Sequence, residues 1–499
     1  MSSPLVTSGT AVVADPAGAP DRPDALRRAQ ENALVELLDI PAVADELGDR
    51  FRAAGHTLYL VGGSVRDALL RRGGADLDFT TDARPERILG IVAGWADATW
   101  DTGIEFGTVG VRRADETLEI TTFRADAYDR VGRKPLVRFG DSLEGDLVRR
   151  DFTVNAMAVE VHTAPGDRRF VDPYGGLAAL AAGVLDTPAS PQESFADDPL
   201  RMLRAARFVS QLGFTPAERV TSAMSAMAGE LARITRERVQ AEFSKLLLGA
   251  HPRRGIELLV DTGLAEYVVP EVPAMRLAID EHMQHKDVYT HSLVVLEQAI
   301  DREEPGKPDL VLRLAALLHD VGKPPTRRKE PDGRVSFHHH EVVGAKMVRK
   351  RLRDLRYPKH VVDDVSQLVY LHLRFHGYGK GEWTDSAVRR YVADAGPLLE
   401  RLHKLVRSDC TTRNRRRAAA LQRSYDSLED RIAELRKQEE LDAIRPDLDG
   451  NAIMAILGIP PGPQVGRAYK HLLALRMERG PLSREDAETE LRAWAADNL

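Results

Sequence analysis

At 499 residues the chain is too long for one ordinary hydrophobic core, and its 43% hydrophobic and 29% charged residues give the balance of a globular protein with roughly two to four domains. A net charge of −6 argues against indiscriminate coating of nucleic acid, but leaves room for a local basic track. One cysteine, Cys410, excludes an internal disulfide and zinc-finger spacing; with no membrane-length apolar run and no export leader, a reducing, cytoplasmic setting is expected.

In chain order, residues 1–25 are Ala, Pro, Ser, Gly and Thr without periodicity and read as a disordered tail. Thr57–Val61 reads as a strand, followed by Gly62-Gly63 and a helix from Val65 to Leu70. Asp76–Thr80, Thr108–Val111 and Thr117–Phe123 read as further strands. After the turn-rich Thr187–Pro191 the chain becomes almost wholly helical, with loops at 305–308 and 331–333. Leu421, Tyr425, Leu428, Ile432 and Leu435 recur at alternating four and three, the stripe of a long amphipathic helix expected to pack within the chain.

Asp76-Leu-Asp78 is the first chemical signal. Side chains on a strand alternate, so both carboxylates share a face and can hold two Mg²⁺ ions that activate a hydroxyl and stabilise a leaving pyrophosphate. An isolated Asp-x-Asp is usually a solvated edge strand. Here Gly62-Gly63-Ser64 lies just upstream, at the start of a helix that carries Arg66, and glycines let phosphate approach the backbone. The combination looks like a nucleotidyltransferase head.

"LVGGSVRDALL" followed by "DLDFTT" resembles the opening motif of the bacterial class II CCA-adding enzymes, within the CCA tRNA nucleotidyltransferase and poly(A) polymerase family. "FGTVGV", "EITTFR", "RRDFTVNAMAV", "VDPYGGLAAL", "DDPLRMLRAARF" and "ERVQAEFSKLL" follow in the family's order, covering residues 60–250 with few gaps. The resemblance makes Asp76 and Asp78 the catalytic Mg²⁺ ligands and puts Gly63 and Arg66 on the incoming triphosphate. Arg150, Asp151 and Asn155 match positions that hold ribose and phosphates, and Glu119 is a candidate third acid. Asp198 and Arg201 would imitate the Watson–Crick edge of a template: cytosine and adenine each offer an amino donor and a ring-nitrogen acceptor, whereas uracil and guanine present a carbonyl in place of the amino group. Read without the family, Asp198-Pro199 is simply a well-started helix. Arg204 and Arg207 match nucleotide-holding positions. One departure is Asp197 where the family has Glu. Tyr128, Arg130, Arg133, Lys134 and Pro135 lie where the family's flexible loop switches from CTP to ATP.

The second half carries "YTHSL", "AALLHDVGK", "HHHE" and "RSDC", resembling an HD domain, the helical metal-dependent phosphohydrolase fold. His291, His319, Asp320, His340 and Asp409 match its ligand order and suit a divalent transition metal, Ni, Co or Mn; His372 and His376 are candidates for a second ion. Structural remnants of a lost site are the competing reading. The segment "LDGNAIMAILGIPPGPQVGRAYKHLL" resembles the family's tRNA-gripping tail, with Gly462 and Gly466 as places for phosphate to approach. A basic stretch (Arg401, Lys404, Arg407, Arg413, Arg415, Arg416, Arg417) is expected to meet RNA backbone rather than be only a solvated face.

The expected architecture is α+β: a polymerase-β-like nucleotidyltransferase head (26–180), a helical neck with the nucleotide-selecting helix (181–275), an HD domain (276–412) and a helical tRNA-binding tail (413–499). The expected activity is template-independent CCA addition to tRNA from CTP and ATP, with tRNA as partner and no membrane association. A poly(A) polymerase and an HD phosphohydrolase acting on RNA are the alternatives. Oligomeric state and the HD substrate stay open.

Overall fold

The computed structural model describes residues 38, 40–72, 76–125, 138–140, 142–163, 168–277, 287–332, 335–377, 383–412, 414–439 and 445–499. The expected disordered tail, the switch-loop residues Tyr128, Arg130, Arg133, Lys134 and Pro135, and Arg413 lie outside them, as do the side chains of Asp76 and His376. The chain divides into two compact units, Met1–Asp197 and Asp198–Leu499.

The first unit is built on a seven-stranded mixed sheet. Its strands are β1 (Leu58–Val61), β2 (Asp76–Thr81), β3 (Ala98–Trp100), β4 (Thr108–Arg113), β5 (Glu116–Thr122), β6 (Ala158–Glu160) and β7 (Phe170–Val171), in spatial order β3-β4-β5-β2-β1-β6-β7. One sheet face is apolar: Leu77, Phe79, Val109, Val111, Leu118 and Ile120 are all buried, as the alternation of side chains along each strand requires. Helix α1 (Ala42–Ala53) buries Ala44, Leu47 and Phe51, and Gly48 lets it lie against backbone: a Cβ there would sit 1.8 Å from the Val161 carbonyl oxygen.

The other face follows from register. Asp78 pairs with Glu119 across the parallel β2–β5 ladder, Glu119 with Gly110 across β5–β4, and Gly110 with Trp100 across β4–β3. Trp100, Gly110, Glu119 and Asp78 therefore form one row on one face. Helix α2 (Gly63–Leu69) leaves β1 through Gly62, and Ser64 fastens it to β2 by accepting the Asp78 backbone N–H at 3.0 Å.

The second unit is helical. Its neck packs α3 (Leu200–Leu212) against α4 (Arg236–Leu247) and α5 (Pro252–Asp261). Then follow α6 (Val288–Ile300), α7 (Leu310–Leu318), α8 (His340–Asp354), α9 (Lys359–Leu371), α10 (Asp385–Ala395), α11 (Leu399–Asp409) and α12 (Arg415–Glu439). Helix α7 is apolar on every side except Arg313, which is why it is central and buried from Val311 to Leu318. Asp309 caps it by accepting the Val311 and Leu312 N–H groups, both at 3.1 Å. Arg313 is buried against Glu303, and its Nη1 donates to the carbonyls of Leu247 and Gly249 at 2.6 and 2.8 Å, satisfying the C-terminal end of α4.

The stripe on α12 is internal: Tyr425, Leu428, Ile432 and Leu435 are buried, and the Tyr425 hydroxyl donates to the Val406 carbonyl at 2.9 Å. Helices α13 (Gly450–Leu457), α14 (Pro463–Arg479) and α15 (Arg484–Asn498) enclose a small core of Leu448, Ile453, Ala468, Leu472, Leu475, Ala487 and Leu491.

Candidate functional site

In the first unit, Gly62 adopts φ +70°, and a Cβ at that position would lie 2.9 Å from Arg150 Nη1 and 3.5 Å from Asp78 Oδ2. The turn needs glycine for its left-handed backbone, and it brings the Arg150 guanidinium and the Asp78 carboxylate to the same point of the chain. Arg150 is steadied by Asp146, whose Oδ2 accepts from Nη2 at 3.2 Å. Arg66 is buried and donates to Asn155 Oδ1 at 2.7 Å and to both Asp67 oxygens at 2.9 and 2.8 Å. Asn155 donates in turn to Asp151 Oδ1 at 2.9 Å, the oxygen that also accepts the Phe152 N–H at 2.9 Å. Gly63 sits beside this chain, its Cβ position 3.4 Å from Arg66 Nη2.

The structure therefore gathers Gly63, Arg66, Asp151 and Asn155 into one network and puts Arg150 beside Asp78. Asp151 is only 7% exposed, and its Oδ1 orients Asn155, and through it Arg66. Asp76 heads the same strand as Asp78, and the exposed Glu119 is Asp78's ladder partner. Carboxylates on one side and two guanidinium groups on the other suit divalent cations and a polyphosphate, respectively.

In the second unit, Asp198 starts α3 by accepting the Leu200 N–H on Oδ1 at 3.1 Å, and its Oδ2 accepts from Arg238 Nη2 of α4 at 2.7 Å. The Arg201 N–H is bonded to the Asp198 carbonyl at 3.0 Å, so the two residues share one turn. Arg204 lies over the Phe208 ring with its guanidinium carbon 5.8 Å from the centroid. Arg207 faces inward: it is 8% exposed and pairs with the buried Glu242 carboxylate at 3.1 and 3.0 Å.

The same unit brings together His291, His319, Asp320, His340 and Asp409, with His372 beside them. His291 comes from α6, His319 and Asp320 follow α7, His340 starts α8, His372 ends α9 and Asp409 ends α11. The side chains form two touching triads, His291, His319 and Asp409, then Asp320, His340 and His372. His291 Nε2 is 2.9 Å from Asp409 Oδ1, His319 Nε2 is 3.1 Å from Asp320 Oδ2, and His340 Nε2 is 3.3 Å from Asp320 Oδ1.

Each ring is oriented from behind. Nδ1 of His319, His340 and His372 faces the carbonyls of Ala316, Phe337 and Val369 at 2.9, 2.8 and 2.6 Å, while His291 Nδ1 faces the Thr411 hydroxyl at 3.1 Å. This turns every Nε2 inward, the arrangement that fixes imidazole for metal coordination. The Nε2 atoms of His340 and His372 are buried without a hydrogen-bond partner, the 3.3 Å approach of His340 to Asp320 lacking hydrogen-bond geometry. A divalent cation fits these orphaned donors. In the Phe337–Glu341 stretch, His338 and His339 are exposed and only His340 points in.

The electrostatics agree. Burial opposes charge on His319, but Asp320 and Asp409 override it and hold the imidazole up at about 10. Burial and the charge on His319 push His372 down to about 3. Asp320 and Asp409 stay well below the usual carboxylate range despite burial, because the histidines, and for Asp320 also Lys323 at 3.0 Å, favour their charge.

Three family models match the chain: a poly A polymerase head domain over residues 58–186, a probable RNA- and SrmB-binding site of polymerase A over 213–275, and an HD domain over 288–432. The CCA-adding enzyme of Anoxybacillus flavithermus is 31% identical over 451 residues, 89% of this chain and 94% of that protein. This chain belongs to the tRNA nucleotidyltransferase family. The A-adding tRNA nucleotidyltransferase of Deinococcus radiodurans is 33% identical over 448 residues, 88% of this chain and 95% of that one. The Bacillus stearothermophilus CCA-adding enzyme, solved in complex with CTP, superposes with a TM-score of 0.64 at 26% identity, covering 91% of this chain and 97% of that one. A polymerase-type head, a helical neck and an HD domain are thus its family architecture, and divalent-metal use goes with membership.

Sequence reasoning missed Arg238 and Glu242, the partners of Asp198 and Arg207, although both lie in the "ERVQAEFSKLL" motif it singled out. It also missed Lys323, four residues past His319. For the basic stretch, Arg401 turns to Asp309 at 2.7 Å, Lys404 to Glu400 at 2.6 Å, and Arg407 to Asp426 at 2.8 Å and Glu429 at 2.9 Å. Arg415, Arg416 and Arg417 are exposed.

Proposed function

We propose that this tRNA nucleotidyltransferase adds CCA to tRNA 3′ ends from CTP and ATP, releasing pyrophosphate. The observation that carries the reading is the juxtaposition of Asp78, the Gly62 turn and Arg150. Asp76 and Asp78 would hold Mg²⁺, which when bound sharpens the attacking 3′ hydroxyl and steadies charge on the leaving pyrophosphate. Arg66, oriented by Asn155, and Arg150, braced by Asp146, would bind the triphosphate alongside Gly63. Asp198 accepts the amino group common to cytosine and adenine, and Arg201 donates to the adjacent ring nitrogen; Arg204 supports the nucleotide. We assign these roles to the head (26–180) and neck (181–275), and tRNA binding to the tail (413–499), whose residues Gly462, Gly466 and Arg467 are exposed. We place this action in the cytoplasm; among the described residues no helix is long and apolar enough to cross a membrane.

The deciding experiment supplies purified protein with tRNA transcripts ending before CCA, one nucleotide at a time, read on a sequencing gel. Addition of C, C and A, then a stop, is the expected result. Restriction to adenylate would favour the A-adding reading that the Deinococcus radiodurans relative suggests. For the HD domain (276–412), we infer a phosphohydrolase centre for Ni²⁺, Co²⁺ or Mn²⁺ on His291, His319, Asp320, His340 and Asp409, with His372 completing the ligand set. The inward Nε2 atoms support it, and metal-dependent hydrolysis of a generic phosphoester tests it.

A further inference from the structure

We propose that Trp100 is a stacking platform for a base at the 3′ end of the RNA primer; the proposal rests on the reading of Asp78 as a catalytic carboxylate. The indole lies flat over Gly110: a Cβ there would meet Trp100 Cε2 and Nε1 at 1.9 Å, so glycine is what allows the ring to lean across β4. Register places Trp100 on the face and in the row that carries Glu119 and Asp78. Three ladder steps of about 4.8 Å set its backbone about 14 Å from that of Asp78, and the ring leans back along that path. The side chain is exposed, at 36%.

The side of the sheet identifies the ligand. Gly62, Arg66 and Arg150, the groups suited to triphosphate, lie at β1 and beyond it, on one flank of β2. In-line displacement puts the attacking hydroxyl opposite the leaving pyrophosphate, so the primer approaches over the other flank, across β5, β4 and β3. Arg112 stands two residues beyond Gly110 on β4, exposed and on the same face. A flat aromatic beside a guanidinium is the pairing that holds single-stranded nucleic acid, base on ring and phosphate on cation, without demanding a sequence. A platform of that kind suits a primer whose terminal base changes after each addition.

The test measures full-length protein with a tRNA transcript lacking CCA, and with the same transcript carrying 2-aminopurine at its 3′ end. Trp100→Ala should raise KM for tRNA about tenfold, leave KM for CTP and ATP unchanged, and abolish the quenching of 2-aminopurine seen with the wild type. Trp100→Phe should restore most of the KM for tRNA without restoring the quenching, since a phenyl ring stacks on a base but lacks the easily oxidised indole that quenches it. Wild-type KM for tRNA with quenching intact in Trp100→Ala, or a rise confined to KM for the nucleotides, overturns the platform. Asp78→Ala, run in parallel, separates the layers: full activity there removes the active-face reading itself, whereas an inactive Asp78→Ala beside a normal Trp100→Ala removes the platform alone.

Discussion

Arg238 donates to Asp198 Oδ2 at 2.7 Å while the Leu200 N–H holds Oδ1, so the carboxylate proposed to read the base is anchored at both oxygens by its own unit. Its direction is set before a nucleotide arrives. That is preorganisation: a carboxylate free to rotate would meet the carbonyl edge of uracil or guanine at little cost.

Arg238→Ala should therefore relax base choice without unfolding the neck. The pair is partly exposed, so its loss should cost at most about 1 kcal/mol of stability. Asp198→Ala removes the acceptor itself and should cost roughly 1–3 kcal/mol of discrimination. Single-nucleotide assays with all four NTPs check both. If Arg238→Ala discriminates like wild type, the anchor has no part in selection.

Asp78→Ala and Asp76→Ala should each abolish nucleotide addition and leave tRNA binding and the circular dichroism spectrum intact. Substantial addition by either variant means the catalytic carboxylates lie elsewhere.

Arg207 is predicted to matter for folding more than for substrate. Its removal would leave the buried Glu242 carboxylate uncompensated, a loss on the order of 3–5 kcal/mol. Urea denaturation of Arg207→Ala should show it, with Arg204→Ala as the more exposed control. A stable Arg207→Ala with a raised KM for CTP would instead make Arg207 a nucleotide ligand.

The HD cluster should bind metal with proton release. With its pKa held at about 10, His319 is protonated in the metal-free protein at neutral pH, and a cation must displace that proton. Affinity should therefore rise with pH towards about 10, and calorimetry in buffers of differing ionisation enthalpy should count the proton released. The same shift makes a stability statement. Relative to an unfolded value of 6.5, the charged ring supports the metal-free fold fully below pH 6.5, and that support fades as pH passes about 10. Paired His319→Ala and Asp320→Ala substitutions should eliminate phosphoester hydrolysis while leaving CCA addition near wild type. An unchanged hydrolysis rate would remove the HD assignment.

Much of this was legible in the sequence because the chemistry needs rare residues in fixed order: Gly62-Gly63 before Asp76 and Asp78, and histidines spread from 291 to 372 with acids at 320 and 409. Relationships that depend on register or on distant helices were not legible. Nothing in "EITTFR" says that Glu119 is level with Asp78, and the three-residue strand bearing Trp100 is too short to show alternation. The inward turn of His340 depends on His339 taking a left-handed backbone at φ +62°, which sequence does not announce. The ion pairs of Arg401 and Arg407 with Asp309, Asp426 and Glu429 were equally invisible, because those acids lie outside the basic run and only the fold brings them to it.

Arg313 ties the two halves of the helical unit to a common fate. It rises from the helix that delivers His319 and Asp320, yet its hydrogen bonds finish the helix that bears Arg238 and Glu242. Every proposed metal ligand could be lost and α7 would still be needed, since deleting it would uncap the neck. Loss of hydrolytic chemistry would then leave an intact shell, and the persistence of that shell in a relative is no sign that its metal chemistry survives.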